Sequence, residues 1–257
     1  MGVLTNKIVF ITGATSGIGK ACAEEFAKEG ANLILSARRI NKLNEISELL
    51  KKEFGIKVYS FKLDVRNSGE VKKTISSLPE EWKNIDILVN NAGLARGYSK
   101  IADGEISDWE EMIDTNVKGL LYVTRQILPI MVERMGGHVI NLGSTAGHEV
   151  YPNGNVYCAT KFAVNALTQA IRMETIDKNI KVTTVDPGMV LTNFSNVRFS
   201  GDIERANKIY EGVKPLTAGD VARTILFCAT QPEHVNISEI ILTPIQQASV
   251  AYVYRKK

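Results

Sequence analysis

The chain has 257 residues, of which 44% are apolar and 23% are charged, and its formal net charge is +3 at pH 7. These values are typical of globular proteins and argue against a disordered, collagen-like or fibrous chain. Charges of both signs are interspersed, so the surface is not expected to bind nucleic acid. The length favours one α/β domain over residues 1–257, although length alone would also allow two small domains.

Short β-branched segments alternate with longer amphipathic segments along the whole chain. Strands are predicted at Lys7–Thr12, Asn32–Ala37, Lys57–Phe61, Ile85–Val89, His138–Leu142, Lys181–Val185 and Glu239–Thr243. Helices are predicted at Ile18–Lys28, Lys42–Glu53, Ser68–Ser77, Trp109–Met135, Val156–Thr175 and Asp220–Thr230. Pro129 should kink or interrupt the fourth of these helices. The alternation predicts a Rossmann-type, doubly wound, seven-stranded parallel sheet with helices on both faces.

One long irregular stretch, at about Pro187–Thr217, separates the sixth strand from the last helix. A loop of this length in a compact domain is usually a lid or a binding loop. We therefore expect a substrate lid at about residues 188–217.

A glycine-rich turn, Thr12–Gly19, follows the first strand directly and opens the first helix. Gly13 permits the tight turn, Gly17 lets the backbone approach a pyrophosphate at the helix N-terminus, and Gly19 lets the helix pack on the strand. This order of strand, glycines and helix favours a dinucleotide site over a plain glycine-rich turn. The cofactor-binding residues expected here are Gly13, Thr15, Ser16, Gly17, Ile18 and Gly19.

The end of the second predicted strand indicates which dinucleotide is bound. Folds that prefer NAD place an acidic residue roughly 20 residues beyond the glycines, where it accepts the ribose 2′-hydroxyl. Here Ala37 is followed by Arg38 and Arg39, with no carboxylate nearby. Two cations before a helix N-terminus oppose the helix dipole, and a guanidinium presents a planar fork to a 2′-phosphate. The sequence therefore predicts NADP, with an ordinary solvated basic pair as the alternative.

The spacing of Thr12–Gly19 resembles the cofactor motif of the short-chain dehydrogenase/reductase family. Three further motifs support this resemblance in chain order: Asn-Asn-Ala-Gly at 90–93, Ser144 after the fifth strand, and Tyr157-x-x-x-Lys161 on the next helix. The match covers essentially the whole chain. It implies further cofactor contacts at Asp64, Val65, Asn90, Asn91, Ala92, Gly93, Pro187, Gly188, Val190 and Thr192. For Asp64 an ordinary strand-end carboxylate, and for Pro187-Gly188 a simple turn, remain the alternative interpretations.

Tyr157 and Lys161 are four residues apart on a predicted helix, so both side chains lie on one face. Carbonyl reduction by hydride transfer needs an acid, and a phenol with a pKa of about 10 is a poor base for the reverse reaction near neutral pH. A neighbouring ammonium stabilises the phenolate, and Ser144 can donate a hydrogen bond to the same substrate oxygen. The resemblance adds that Lys161 also binds the nicotinamide ribose and that Asn116 holds a water in the proton relay. The expected catalytic residues are Asn116, Ser144, Tyr157 and Lys161, and Tyr157 and Lys161 are also expected at the cofactor.

Arg198 is the only cation between Lys181 and Arg205 and lies in an apolar stretch of the expected lid. Such a guanidinium is suited to bind a small carboxylate. The surrounding segment, Thr192–Phe199, resembles those family members that are NADP-dependent 3-hydroxy acid dehydrogenases and oxidise serine, L-allo-threonine and related short acids. We therefore expect Ser144, Tyr157 and Arg198 to contact a short 3-hydroxy acid such as 3-hydroxypropanoate. A surface arginine on a mobile loop is the alternative interpretation.

Two other functions stay open on the sequence alone. A ketoreductase of the same family, acting on uncharged ketones or 3-oxoacyl chains, would keep the same catalytic residues. A non-catalytic NADP-sensing module would need the glycine turn but neither Tyr157 nor Lys161, so the sequence favours it less. The family is usually dimeric or tetrameric, and we expect a homo-oligomer, with a tetramer favoured and the apolar run 248–254 available for a subunit contact.

The cysteines and the chain termini bear on the compartment and on metals. Cys22, Cys158 and Cys228 are odd in number and lack zinc-site spacing, so we expect buried thiols in a reducing compartment and no metal. His148 is expected either on the substrate side or in solvent.

Neither a signal peptide nor the ~18 apolar residues of a membrane span are recognisable in the sequence. We therefore expect a soluble, cytoplasmic protein whose partner is a small-molecule substrate, with no membrane or nucleic acid.

Overall fold

A parallel β-sheet forms the centre of the fold in the computed structural model, which describes residues 2–256. The strands are β1 (Ile8–Thr12), β2 (Asn32–Ala37), β3 (Val58–Lys62), β4 (Ile87–Asn90), β5 (Gly137–Leu142), β6 (Ile180–Pro187), β7 (Val190–Leu191), β8 (Leu216–Thr217) and β9 (Glu239–Leu242). Seven of them pair in parallel in the order β3-β2-β1-β4-β5-β6-β9, and β7 pairs separately with β8. The predicted seven-stranded, doubly wound sheet is therefore confirmed.

Helices follow most of the strands. They are α1 (Gly17–Lys28), α2 (Ile40–Phe54), α3 (Ser68–Ser76), α4 (Glu80–Lys83), α5 (Ile106–Ile113), α6 (Leu120–Glu133), α7 (Asn155–Glu174), α8 (Phe194–Arg198), α9 (Ile203–Lys208) and α10 (Ala218–Ala229). Short 3-10 turns occur at Ile101–Asp103 and Thr145–Gly147. Within residues 2–256, none of the helices has the length and apolar character that crossing a membrane requires.

Helices cover both faces of the sheet, which explains why the strands are apolar throughout instead of alternating. In β1, Val9 and Ile11 pack against the layer that contains α1, α2 and α10, whereas Phe10 packs against the layer of α3, α6 and α7. All three side chains are fully buried. Burial of each such side chain stabilises the folded chain by about 1.5–3 kcal/mol, so this central strand is a rigid base for the turn that follows it.

The prediction of an interruption at Pro129 was wrong. Residues 106–133 are helical, and Pro129 lies inside α6. The irregularity lies earlier, at Asp114–Gly119, where the chain has the π-helical hydrogen-bond pattern. Gly119 packs so closely on Val65 that a Cβ there would lie 2.6 Å from the Val65 Cγ2 atom. The missing N–H of Pro129 removes one intrahelical donor, a loss that α6 tolerates because it is packed against the sheet.

The expected lid is more ordered than an irregular loop. Residues 188–217 contain β7, α8, α9 and β8, and α9 is capped by Asp202, whose carboxylate accepts a hydrogen bond from the Arg205 N–H. These helices have five and six residues and were not predicted, because elements this short carry little periodicity.

His138 is a buried histidine whose environment makes stability depend on pH. Its side chain in β5 is 3% exposed, and its Nε2 lies 2.8 Å from the Thr183 hydroxyl, which itself donates to the Ile237 carbonyl. The Thr183 oxygen therefore accepts the Nε2 hydrogen of a neutral imidazole. Burial, reinforced by the charge of Lys181, lowers the His138 pKa from 6.5 to about 3.

We expect this depressed pKa to cost stability in acid. Between pH 6.5 and 3 the unfolded chain binds a proton at His138 that the folded chain does not, so the free energy of unfolding falls by up to ~1.4 kcal/mol for each pH unit lowered. Urea unfolding of the protein and of His138→Gln at pH 6.5, 5.5 and 4.5 tests this, because the other titrating groups are common to both. The difference between the two proteins should shrink or reverse as pH falls; parallel curves would contradict the assignment.

Candidate active site

A cleft of about 1100 Å³ opens where the carboxyl ends of the central strands meet. The strand order reverses between β1 and β4, so the loops after these two strands diverge to opposite faces and leave a crevice. The cleft is lined by the turn after β1, the ends of β2 and β4, the loops after β5 and β6, and the expected lid. Its size and place are those of a dinucleotide and substrate site in an open α/β sheet.

The glycine turn is held in place by residues from the loop after β4. Gly13 has a φ of +70°, a conformation that favours glycine. Asn91 Nδ2 donates to the Thr12 carbonyl at 2.8 Å, and the Thr12 hydroxyl accepts from the Asn91 and Ala92 N–H groups. A Cβ on Gly19 would lie 2.5 Å from the Gly13 oxygen, so only glycine lets α1 approach the turn this closely.

The N-terminus of α1 is open towards the cleft. The N-cap residue, Ser16, makes no side-chain capping bond, and the first turn of the helix holds no acidic residue. Instead, Arg39 Nη2 donates to the Ser16 hydroxyl at 3.0 Å and to the Thr15 hydroxyl at 2.8 Å. The N-terminus of α1 thus presents backbone N–H groups and the positive end of the helix dipole, with the guanidinium of Arg39 beside them. This arrangement fits a phosphate-bearing cofactor.

An ion-pair network lies at the end of the cleft that Arg38 and Asp64 line, which we call its outer end. Glu111 of α5 faces three guanidinium groups: Arg96 at 2.7 Å, Arg66 at 3.3 Å and Arg38 at 3.6 Å. Hydrogen bonds from Arg66 lower the pKa of Asp64 and occupy its carboxylate. Arg38 itself is exposed, with its guanidinium on the rim of the cleft.

Tyr157, Lys161 and Ser144 meet at the inner end of the cleft. All three are buried, and Lys161 Nζ lies 5.9 Å from the centroid of the Tyr157 ring. Lys161 Nζ donates to the Leu142 carbonyl at 2.7 Å, and Ser144 accepts from the Ala146 N–H, which fixes both side chains beside the end of β5. A phenol, an ammonium and a hydroxyl are thus placed for proton transfer to or from one oxygen.

Burial has the largest effect on the pKa values of Tyr157 and Lys161. It raises the pKa of Tyr157, an effect that the neighbouring Ser144 hydroxyl and Arg198 oppose only in part. Burial also lowers the pKa of Lys161 to about 8, against the opposing charge of Asp186. The phenol is therefore protonated at neutral pH, as an acid for carbonyl reduction must be, and a cationic Lys161 favours the phenolate that oxidation needs.

Arg198 lies at the end of α8 and is buried, which argues against a surface arginine on a mobile loop. Its guanidinium carbon lies 4.9 Å from the ring centroid of Tyr98, 5.4 Å from that of Tyr151 and 5.7 Å from that of Tyr157. Nε donates to the Gly97 carbonyl, and Nη1 donates to the Tyr151 hydroxyl at 2.8 Å. These bonds use two of the five N–H groups of the guanidinium, which borders the cleft beside Tyr157.

Most of the residues that the sequence predicted for the site line this one cleft. They are Gly13, Thr15, Ser16, Gly17, Ile18, Arg38, Arg39, Asp64, Val65, Asn91, Ala92, Gly93, Ser144, Tyr157, Lys161, Pro187, Gly188, Val190, Thr192 and Arg198.

Four of the residues named from the sequence do not line it. Gly19 lies behind the turn, and Asn90 points into the core, where it donates to Thr124 and Asn141. The Asn116 amide is engaged by the backbone of Leu94 and by Thr160, so its side-chain nitrogen has no hydrogen left for a relay water. His148 turns away from the cleft towards Asp186.

Sequence reasoning missed the residues that reach the cleft from distant parts of the chain. Tyr98 and Tyr151 enclose Arg198, and Gln247 accepts a hydrogen bond from the Met189 N–H in the loop after β6. Val250, Ala251 and Val253 add an apolar wall. Tyr98, Tyr151 and Gln247 lie in loops without periodicity, so the sequence carried no signal for them, whereas the apolar run 248–254 was recognised but expected at a subunit contact instead of the cleft.

Comparisons with known proteins agree with this geometry. The sequence pattern of the short chain dehydrogenase family matches residues 7–202. The NADP-dependent 3-hydroxy acid dehydrogenase of Schizosaccharomyces pombe is 45% identical over 258 aligned residues, covering both chains completely. Serine 3-dehydrogenase of Rhizobium radiobacter is 42% identical and covers 96% of this chain and 98% of its own. The closed form of a serine dehydrogenase complexed with NADP+ superposes with a TM-score of 0.90 at 44% identity, covering 97% of this chain and 100% of that one.

Proposed function

Because the chain belongs to the short-chain dehydrogenase family and is an NADP-dependent oxidoreductase, we propose that it interconverts short 3-hydroxy acids and their 3-oxo forms. The substrates proposed are serine, L-allo-threonine and 3-hydroxypropanoate. One observation carries the proposal: the buried guanidinium of Arg198 lies beside the ring of Tyr157 at the inner end of the cleft. A cation at this place suits a substrate whose carboxylate is close to its reacting carbon.

The cofactor is NADP, and the cleft fits it. The open N-terminus of α1 suits the pyrophosphate, and Arg38 and Arg39 at its outer end suit the 2′-phosphate. When bound, NADP supplies the hydride acceptor or donor. Val190 and Thr192 border the cleft where the nicotinamide would lie, in the segment that the family resemblance assigns to it.

Tyr157 is proposed as the acid and base of the reaction. In reduction its hydroxyl donates a proton to the oxygen that becomes the alcohol, and in oxidation its phenolate accepts that proton. Ser144 would donate a hydrogen bond to the same oxygen and stabilise its developing negative charge. Lys161 would favour the phenolate by its charge and contact the nicotinamide ribose, and Asn116 is proposed to hold the relay water as an acceptor, because both hydrogens of its side-chain nitrogen are engaged.

Arg198 is proposed to bind the carboxylate with the N–H groups that Gly97 and Tyr151 leave free. The three tyrosine rings around it exclude water, which strengthens a charge-assisted hydrogen bond. Phe194 packs edge-on against Tyr157 with the ring centroids 5.5 Å apart, so α8 also covers the reacting centre. This arrangement supports the proposal that residues 188–217 act as a substrate lid within a single domain of residues 1–257.

A substrate panel tests this assignment against the uncharged-ketone alternative. Serine, L-allo-threonine, 3-hydroxypropanoate and butan-2-ol are each oxidised with NADP+ at 340 nm, with the oxo product trapped as a hydrazone, and a 3-oxoacyl ester is reduced with NADPH at the same wavelength. We expect turnover of the hydroxy acids and little of the neutral compounds. A preference for the neutral compounds would instead identify a ketoreductase.

We expect Arg38 to contribute to cofactor choice through the 2′-phosphate. Arg38→Asp places a carboxylate beside that phosphate, so kcat/KM with NADP should fall by about one to two orders of magnitude, as expected for loss of a charge-assisted hydrogen bond. The value with NAD, which lacks the phosphate, should change much less. Arg223→Asp, which changes the same charge on exposed α10, is the matched control. Equal losses with NADP and NAD in Arg38→Asp would contradict the role.

The assembly and the compartment complete the proposal. A homo-oligomer, with a tetramer favoured over a dimer, is supported by apolar side chains left exposed near the C-terminus, among them Ile245, Tyr252 and Tyr254. A cytoplasmic location is supported by the free, buried state of Cys22, Cys158 and Cys228. Light scattering on the purified protein measures the subunit number.

A further inference from the structure

Asp186 is a buried carboxylate to which the proposed reaction gives no role. It lies in β6, directly after Val185, and its side chain is fully buried. Its Oδ1 accepts a hydrogen bond from the Thr184 hydroxyl at 2.7 Å, and its Oδ2 lies 3.0 Å from His148 Nε2. Burial raises the pKa of the Asp186 carboxyl, and the hydrogen bonds from Thr184 and His148 oppose that rise and favour its charged form.

The Asp186 carboxylate lies close to the backbone segment, at the end of β5, that accepts the hydrogen bond from Lys161. Leu142 pairs with Val185 across the two strands, and its carbonyl accepts the hydrogen bond from Lys161 Nζ. Gly143 follows Leu142, and a Cβ on Gly143 would lie only 1.6 Å from Asp186 Oδ1. The absence of a side chain at Gly143 therefore lets the Asp186 carboxylate pack against the backbone segment that holds Lys161, and its charge raises the pKa of Lys161.

The charged and polar groups around Asp186 come from four elements. Lys161 and Asn165 belong to α7, His148 follows the Thr145–Gly147 turn, Glu239 begins β9, and Thr184 belongs to β6 itself. The Asp186 carboxylate, His148 Nε2 and the exposed Glu239 carboxylate lie within 4.8 Å of one another. Asn165 Nδ2 donates to the Gly147 carbonyl at 3.1 Å and lies beside the imidazole, so His148 is packed between Asn165 and Asp186.

We propose that Asp186, held by Thr184 and His148, is a positioning residue that keeps Lys161 positively charged during the reaction. It acts through Lys161 and touches neither substrate nor cofactor. Burial penalises the ammonium of Lys161, and the nearby carboxylate opposes that penalty. Without it, Lys161 loses its proton at lower pH and no longer favours the phenolate of Tyr157. The role rests on the proposed acid–base function of Tyr157 and Lys161.

The pKa of Lys161 can be measured without turnover. Protein labelled with carbon-13 at the lysine Cε is titrated by NMR, and Lys161→Met identifies the resonance. Asp186→Asn keeps the shape and an acceptor for Thr184 but removes the charge, so the Lys161 pKa should fall by about one unit or more. Glu239→Gln removes the same charge from the exposed member of the cluster and should shift it by a few tenths at most, because solvent screens that group.

The pH profile of kcat/KM separates the effect of Asp186 on Lys161 from the proposed acid–base function of Tyr157 and Lys161. In Asp186→Asn its alkaline limb should move to lower pH by the same amount as the Lys161 resonance, and Asp186→Glu should restore both. Asp186→Ser is the second neutral variant, so that poor folding of one leaves the test intact. An unchanged Lys161 pKa in either folded neutral variant overturns the role of Asp186. A shifted Lys161 pKa with an unshifted profile supports the charge effect but refutes the proposed acid–base function.

Discussion

Replacing Tyr157 with phenylalanine is expected to lower kcat by about 10²–10⁴-fold, because this change removes the proton-transfer group and leaves the ring in place. The phenylalanine ring still packs against Phe194, so the wall of the cleft is preserved. The dissociation constant for NADPH, measured by fluorescence titration, should change little. Single-turnover kinetics would show whether the loss lies in the chemical step.

A matched control is Tyr59→Phe, which removes a hydroxyl from a half-buried tyrosine of β3 that packs near Trp82 and lies outside the cleft. It should retain nearly all activity. If Tyr157→Phe also retained most of its kcat, another group would carry the proton, and the proposed mechanism would have to be abandoned.

Arg198→Met is expected to lower kcat/KM for 3-hydroxypropanoate by about one to two orders of magnitude, since a charge-assisted hydrogen bond contributes roughly 1.5–3 kcal/mol. Methionine keeps an apolar stem among Tyr98 and Tyr151 but cannot bind a carboxylate. The loss for a neutral secondary alcohol should be much smaller, because that substrate never used the cation. The comparison of two substrates on one variant therefore isolates the charge.

Lys214→Met is the control for this variant, because it removes a positive charge from the same lid. Lys214 is exposed and does not line the cleft. It should affect acid and alcohol alike. Equal losses for both substrates in Arg198→Met would show that Arg198 only holds the lid in place.

The sheet and the inner end of the cleft could be predicted because their signals are local. Each buried strand is a short apolar run, and the glycine turn follows β1 without a gap. Tyr157 and Lys161 are one helical turn apart, so their common face follows from helix geometry alone. A helix was predicted over Trp109–Met135, but its continuity at Pro129 could not be predicted, because packing against the sheet outweighed a residue that locally disfavours helix.

The surroundings of Arg198 depend on contacts between distant parts of the chain. Its bond to Tyr151 joins residues 47 positions apart, and its bond to Gly97 joins residues 101 positions apart. The sequence showed only an apolar stretch of the lid around Arg198, whereas the fold brings tyrosine rings from two other loops to it. The neighbours of Asp186 are hidden in the same way, since His148 and Glu239 meet it only across the folded sheet.

The most direct test of the proposed function compares 3-hydroxybutanoate with its methyl ester as substrates of the unmodified protein and NADP. The two compounds have the same reacting alcohol and differ in the charge that Arg198 is proposed to bind. We predict that kcat/KM for the acid exceeds that for the ester by about 10-fold or more, as expected for one charge-assisted hydrogen bond. An ester oxidised as fast as the acid, or faster, would contradict a hydroxy acid dehydrogenase and favour a ketoreductase for uncharged substrates.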